Sequence, residues 1–353
     1  MSDKKHNYVI DVLYAFGTIL VIAGHSHSSD WSTFSDTVLI SIIGFIYSFH
    51  MHLFFFIAGF LFVNSSSLRN KGFKKWIGEK GLRLLVPYAV ISVVAAVPKF
   101  YLENRTLHGL GKSLVEFALM PRKGVWGHLW FLPILFAVYF IVGFVWSLLK
   151  DNKQKKASMF VMLTVFLVAY YIPADTYFLG ISDLKKFSFF FVIGMIVKEY
   201  VYDRFTLSEK KYRALLWMLC FGVGTILIVN FRENIRFQII NALLMISACV
   251  LFASLMPELR VVKWISKNNY TIYLIAWPFQ SVMMAVCDKM HFNWQITSIS
   301  MFLTGIILPV IFITVYEKCK FLHNKFFNLV LGYNRGEIND KRTVSVENQK
   351  AWS

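Results

Sequence analysis

The stretch 8–26, YVIDVLYAFGTILVIAGHS, decides the fold class. A helix that crosses a membrane needs about 20 mostly apolar residues, because lipid cannot satisfy an exposed backbone. This stretch supplies such a run, with one carboxylate near its start and one histidine at its end. Lys4 and Lys5 precede it as in a secretory leader. Asp11 interrupts the approach, however, and no small-x-small cleavage site follows, so an uncleaved first helix is expected. Nine further apolar segments follow, over 38–63, 82–100, 128–149, 159–172, 187–197, 215–230, 237–255, 270–286 and 296–316. The prediction is an all-α, polytopic integral membrane bundle of about ten transmembrane helices. The transmembrane domain is expected over 1–320, followed by a basic, disordered cytoplasmic tail over 321–353.

Composition agrees. The 353 residues are 57% hydrophobic, 17% aromatic and only 16% charged, with 35 Phe; the mean hydropathy is +0.55. Soluble domains run nearer about 25% charged, so a soluble, disordered or collagen-like chain is excluded. The four cysteines, Cys220, Cys249, Cys287 and Cys319, are far apart and show neither metal spacing nor a disulfide framework. No metal site is expected.

The net charge of +17 would suggest nucleic acid in a soluble protein. Here the charges cluster in alternate loops. With a cytoplasmic N-terminus, 27 of the 37 Lys and Arg lie inside, around 69–83, 150–156, 198–213, 260–267 and 318–350. That is the positive-inside bias and a match to anionic lipid. It places both termini in the cytoplasm and removes nucleic acid as a partner.

Ionisable groups within spans are costly and therefore mark function by default. Asp11 and His25 are 14 residues apart on the first helix, so about 21 Å along the axis and about 40° from one face. A polar stripe along that helix is one reading; a cap at one end and an interfacial histidine at the other is the alternative. His50 and His52, in FHMHLFFFIAGF, lie midway along the second span and cannot share a face. GHLWFLP, 127–133, puts His128 and Trp130 on the same side of the membrane as His25. Lys80 and Arg83, in EKGLRLLVPY, open the third span one turn apart. They are either positive-inside anchors or a phosphate clamp at a helix N-terminus.

Five ordered blocks then carry a resemblance: YVIDVLYAFGTILVIAGHS, SFHMHLFFFIAGFLF, KGLRLLVPY, GHLWFLPILF and ISKNNYTIYLIAWPF. In order, spacing and placement they resemble the type 3 membrane acyltransferases, and more narrowly the branch related to fucose and polysaccharide O-acetylases, over most of 8–316. The resemblance implies acetyl transfer from cytoplasmic acetyl-CoA to a hydroxyl of a cell-surface polysaccharide or its lipid-linked precursor. The host would be a bacterial cytoplasmic membrane. It puts the family's essential histidine on His25, its helix-two histidine on His50, and its tryptophan block on His128 and Trp130. Lys80 and Arg83 would hold the coenzyme phosphates, and Asp11, Tyr14 and Trp130 would contact substrate. Departures from the pattern are Tyr14 in place of a cation, Ala58 in place of serine, Ala276 in place of histidine, and His52 where proline is common.

Such chemistry needs a base for the hydroxyl proton and donors for the tetrahedral oxyanion. Neutral imidazole, with a pKa near about 6.5, suits the first role at His25, and His50 or His128 could supply the second. A transporter or flippase would instead show repeated halves and broken helices, which this sequence lacks. A non-catalytic member of an envelope assembly machine would account for Tyr14 and Ala276. For the acceptor, the loop between the third and fourth spans, with Arg105, Lys112, Arg122 and Lys123, is the candidate contact for an acidic glycan.

Overall fold

All ten expected spans fall on helices. The computed structural model describes residues 7–27, 37–63, 66–104, 108–124, 126–173, 176–206, 208–232, 234–319 and 324–332, and no strand occurs among them. The long helices are α1 (Tyr8–Gly24), α2 (Thr37–Tyr47), α3 (His50–Val63), α5 (Phe73–Asn104), α7 (Phe131–Leu148), α8 (Asn152–Tyr171) and α9 (Ile181–Ile196). The chain continues through α11 (Lys210–Phe231), α12 (Ile235–Leu255), α13 (Arg260–Lys289) and α14 (Trp294–Lys318). Short helices α4 (Ser66–Lys71), α6 (Leu110–Leu119), α10 (Tyr202–Thr206) and α15 (Lys325–Val330) lie between or after them.

Seven segments among the described residues are long and apolar enough to cross a membrane, one of them the bent pair α2–α3. The other three expected spans fall short for separate reasons. α1 has 17 residues, α8 opens on Lys153, Lys155 and Lys156, and α9 carries Asp183, Lys185 and Lys186 in its first turns.

Asparagine starts several of these helices. Asn7 Oδ1 accepts from the Val9 N–H at 3.2 Å, and Asn234, Asn293 and Asn324 accept in the same way at α12, α14 and α15. An N-terminal donor of each helix is thereby satisfied. The second span is not one helix. Ser48 turns its hydroxyl onto the Phe45 carbonyl at 2.7 Å, and the axis breaks between Tyr47 and His50, immediately before both histidines.

The centre of the bundle is the pair α3 and α9. Eleven residues of α3 are buried, and Gly59 and Gly194 let the two backbones meet. A Cβ on Gly59 would stand 1.8 Å from the Phe191 carbonyl oxygen, and one on Gly194 would stand 2.0 Å from that of Phe56. α1 packs beside this pair, between α3 and α13. α11 is peripheral. It buries only Gly224 and Ile228 and leaves Leu219, Ile226 and Val229 outward, the apolar surface that lipid would cover.

The tail departs from expectation over 324–332. α15 docks on the bundle, where the Tyr316 hydroxyl donates to Asn328 Oδ1 at 2.8 Å and Thr271 Oγ1 donates to the Leu331 carbonyl at 2.7 Å. Its Val330 packs against the core and Leu329 is half-buried, an apolar side that composition alone hid. The remainder of the expected tail, 333–353, lies outside the described residues, as do Lys4, Lys5 and Arg105.

Candidate active site

α1 sets the axis of the site. Residues from Asn7 to Val21 line one wall of a cavity of about 1090 Å³. Fourteen residues of helix cover about 21 Å, and the volume matches the top of the usual ligand-pocket range of about 300–1,000 Å³. Lys80 and Arg83 from α5, Lys198 and Lys267 surround the end nearest Asn7, together with Asp11. At its far end the cavity reaches Val21, Phe131 and Tyr273.

Aromatic rings hold the two expected cations. Lys80 Nζ lies 4.3 Å from the centre of the Tyr139 ring and 5.7 Å from that of Trp76. The Arg83 guanidinium lies 5.6 Å from the Tyr270 ring, and the Tyr270 hydroxyl donates to the Arg83 carbonyl at 2.7 Å. One expectation needs correction. α5 begins at Phe73, seven residues before Lys80, so this pair does not sit at a helix N-terminus. The helix dipole acts within the first turn, and the clamp must rely on side-chain charge alone. Lys74, Lys75 and Glu79 made the first two turns of α5 resemble a loop.

Three histidines from three elements meet beyond the Tyr273 end. His25 follows the last turn of α1, with its backbone N–H on the Val21 and Ile22 carbonyls. Its ring lies 5.2 Å from Trp277, 6.0 Å from His128 and 6.2 Å from Tyr47, centre to centre. His50, the first residue of α3, stacks on Tyr47 at 5.2 Å. His128 lies in the 3₁₀ turn Gly127–Trp130, and its carbonyl accepts from the Tyr273 hydroxyl at 2.6 Å. Tyr273 therefore joins the cavity to the histidines.

The three rings differ in what they can do. His50 Nδ1 lies 2.9 Å from the Ile46 carbonyl. A carbonyl only accepts, so Nδ1 carries the hydrogen and a neutral ring keeps Nε2 as an acceptor. His50 thus fits a proton or hydrogen-bond acceptor better than the oxyanion donor expected of it. His128 is buried, and neither ring nitrogen has a hydrogen-bond partner among the described residues. It remains able to donate. His52 points away from this group, packed 4.8 and 4.5 Å from the rings of Phe187 and Phe190.

Of the other expected residues, Asp11 is buried, lines the cavity and accepts from Ser266 Oγ at 2.7 Å. Tyr14 lines the cavity beside Phe54. Trp130 stands outside the lining, 5.1 Å from Phe187 and under the Arg122 guanidinium at 4.2 Å. Among the departures, Ala58 is part of the cavity wall, whereas Ala276 packs with Ile22 and Ile313 in a small apolar cluster.

Two of the four cations of the loop expected to meet an acidic acceptor, Arg122 and Lys123, are paired within the chain. Arg122 makes a two-pronged contact to Asp183 at 2.7 and 2.6 Å, and Lys123 pairs with Glu116 at 3.2 Å. The Asp183 side chain is buried and Arg122 is half-exposed. Asp183→Ala is expected to cost about 2 kcal/mol, the range for charge-assisted hydrogen bonds. It should also loosen the 3₁₀ turn that carries His128. Thermal unfolding of the purified protein checks the first effect; an unchanged midpoint would mean that the pair holds nothing in place.

Several residues of this site gave weak signals in the sequence. Lys198 and Lys267 read as topology charges, and Tyr139, Tyr270, Tyr273 and Trp277 as ordinary aromatic content. Lys198 lines the cavity from a π-helical turn, Val197–Val201, that follows α9. Gln280 could have been found as an amide within an apolar helix. Its Nε2 donates to the Ile22 carbonyl and to Ser26 Oγ, each at 2.9 Å, which fixes the end of α1 on either side of His25. Among the described residues, no three His, Cys, Asp or Glu side chains stand close enough to hold a metal ion.

The family model of the type 3 acyltransferases, described as an acyltransferase domain, matches residues 7–317. No curated protein and no solved structure matches the chain.

Proposed function

The chain belongs to the type 3 acyltransferase family and is a membrane acyltransferase, and from that premise we propose that it moves an acetyl group from acetyl-CoA to a sugar hydroxyl. The acceptor is a cell-surface polysaccharide or its lipid-linked precursor, and the host is a bacterial cytoplasmic membrane. What supports this reading is one cavity that runs from a group of cations to Tyr273, whose hydroxyl meets the His128 carbonyl beside the three histidines. The basic loops cluster at the cation end, which the positive-inside bias assigns to the cytoplasm, where acyl-CoA is made.

Lys80 and Arg83 hold the coenzyme phosphates, and Lys198 and Lys267 add positive charge to the same mouth. The thioester extends along α1 towards Tyr273. His25 takes the proton of the attacking hydroxyl, whose oxygen bonds to the thioester carbonyl carbon. His128 donates to the oxyanion that forms. When that intermediate collapses, the C–S bond breaks and the proton on His25 passes to the leaving thiolate. The products are the ester and free coenzyme A.

NMR of surface polysaccharide from cells lacking the gene tests the reading. Acetyl esters should vanish and return on complementation. Unchanged acetylation in the deletion would remove the glycan acceptor.

The donor site has its own expected outcome. Arg83→Gln should raise KM for acetyl-CoA about tenfold or more, because a charge-assisted contact contributes about 1.5–3 kcal/mol, while kcat changes little. With a pantetheine thioester that lacks the nucleotide phosphates, steady-state kinetics should show no difference between variant and wild type. An equal penalty on both donors would place Arg83 away from the phosphates.

A further inference from the structure

A second polar pocket, of about 320 Å³, shares no lining residue with the donor cavity. We propose that it seats one neutral sugar unit of the acceptor, held through its hydroxyl groups by His52 and Asn241, next to the unit that receives the acetyl group. The sugar's place in an acceptor rests on the acyltransferase reading above; the chemistry of the pocket does not.

Five helices meet at this pocket. α2 ends in it with Tyr47, α3 supplies His52, α9 supplies Lys186, α12 supplies Gln238 and Asn241, and Arg232 follows the last turn of α11. Most of its polar side chains are satisfied within the chain. The Tyr47 hydroxyl donates to the Gly24 carbonyl at 2.8 Å, and the Ser48 hydroxyl to the Phe45 carbonyl at 2.7 Å. Gln238 uses both ends of its amide, accepting from the Tyr170 hydroxyl at 3.1 Å and donating to the Arg232 carbonyl at 3.4 Å. Arg232 Nη1 donates to the Ile40 carbonyl at 3.3 Å, and Lys186 Nζ stands 5.9 Å from the centre of the Phe187 ring. Both cations interact within the chain, and the assignment makes no use of their charge.

His52 and Asn241 differ from these. They are 2% and 1% exposed, and neither ring nitrogen of His52 nor either amide atom of Asn241 has a hydrogen-bond partner among the described residues. Two polar side chains buried so deeply without partners are costly. The carboxamide has N–H donors and a carbonyl acceptor, and a neutral imidazole has one of each. Their occupant must therefore both donate and accept. A hydroxyl does both, whereas an anion only accepts, an ammonium only donates and an acyl chain does neither. Two neighbouring hydroxyls of a sugar ring match the side-by-side N–H and C=O of Asn241, and a third is left for His52. The volume, at the low end of the usual range of about 300–1,000 Å³, suits a single sugar unit.

The pocket's place in the bundle suits the neighbour of the reacting sugar. It borders Tyr47, whose ring contacts both His25 and His50. It thus lies by the His25 end of α1, with Lys80 and Arg83 at the other end. Tyr47 stands between it and His25, so a unit held here presents the next unit of the glycan to the histidines.

The test is binding to the full chain in phosphatidylcholine nanodiscs without acetyl-CoA. Its probes are glucose, galactose, N-acetylglucosamine, glucuronate and glycerol. At least one of the three neutral sugars should bind about tenfold more tightly than glycerol, equally at low and high salt. Asn241→Leu and His52→Leu should each weaken that sugar about fivefold or more, with acetyl-CoA binding unchanged. Neither variant should lower the thermal midpoint, because an apolar side chain in place of an unpaired buried polar one removes a cost. The proposal is overturned if no neutral sugar binds better than glycerol, or if glucuronate binds best and fades with salt. It is also overturned if either variant keeps full sugar affinity or unfolds at a lower temperature. Acetyl transfer intact with no sugar binding would sink the pocket alone; sugar binding with no acetyl-CoA binding would uphold the pocket and sink the acetyl-CoA reading.

Discussion

His25→Ala is expected to lower kcat for acetyl transfer by about 10²–10⁴-fold, the usual contribution of a positioned general base, while the protein keeps its thermal midpoint. The second half of that expectation follows from the surroundings. His25 stands at the end of α1, and α1 is held there by Gln280 on Ile22 and Ser26 and by Tyr47 on Gly24. None of these bonds involves the imidazole. The ring's neighbours are Trp277, His128 and Tyr47, so its removal leaves a small gap among these rings without unpairing a buried partner. Acetyl transfer and unfolding, measured on the same preparation, separate the roles. If activity survives, the proton goes elsewhere, and His50, with Nε2 open as an acceptor, becomes the next base to examine. A parallel fall in activity and stability would make His25 a structural residue.

Gly59→Ala and Gly194→Ala are expected to be the most damaging single-methyl changes in the chain. Most glycine-to-alanine changes inside a helix stabilise it, by about 0.5–1 kcal/mol, because alanine is the better helix former. Gly78 serves as the control, since no atom lies within 4 Å of the Cβ that would be added there. At Gly59 and Gly194 the new carbon meets the backbone oxygens of Phe191 and Phe56. Backbone has no rotamer with which to give way, so α3 and α9 would have to part. Close approach through small residues is what packs membrane helices in the absence of a hydrophobic drive. Parting these two would break the stack of Phe55 on Phe187 and the contact of Phe62 with Phe191. A loss of about 3 kcal/mol is expected, the upper range for overpacking, along with loss of transfer activity, because α3 carries His50. Unfolding in detergent checks this. A Gly59→Ala protein as stable as Gly78→Ala would contradict the close packing of α3 on α9.

The extent of legible sequence differs between fold and site. Each apolar segment became a helix because a chain in lipid must satisfy its own backbone, so hydropathy alone located them. The ends were less legible. α5 extends to Phe73 through a run of charges, and α15 forms from residues that read as tail. In both, packing against the bundle decided what local composition left open. The bend at Ser48–Phe49 was likewise invisible, since nothing in an apolar run announces where one helix becomes two.

For the site, the sequence marked residues but not their companions. His25, His50 and His128 stood out because imidazole is rare at such depth, and Lys80 with Arg83 because they share a helix face. The sequence determined by itself that this chain is a helical membrane protein and a member of an acyltransferase family, since both follow from patterns along one strand of residues. Tertiary structure alone decided that three histidines from separate helices converge, that Arg122 is locked on Asp183, and that Lys186 and Arg232 face one pocket. The reason is that such contacts join residues tens to hundreds of positions apart. Only the packing of the helices and of the turns between them brings such residues within reach.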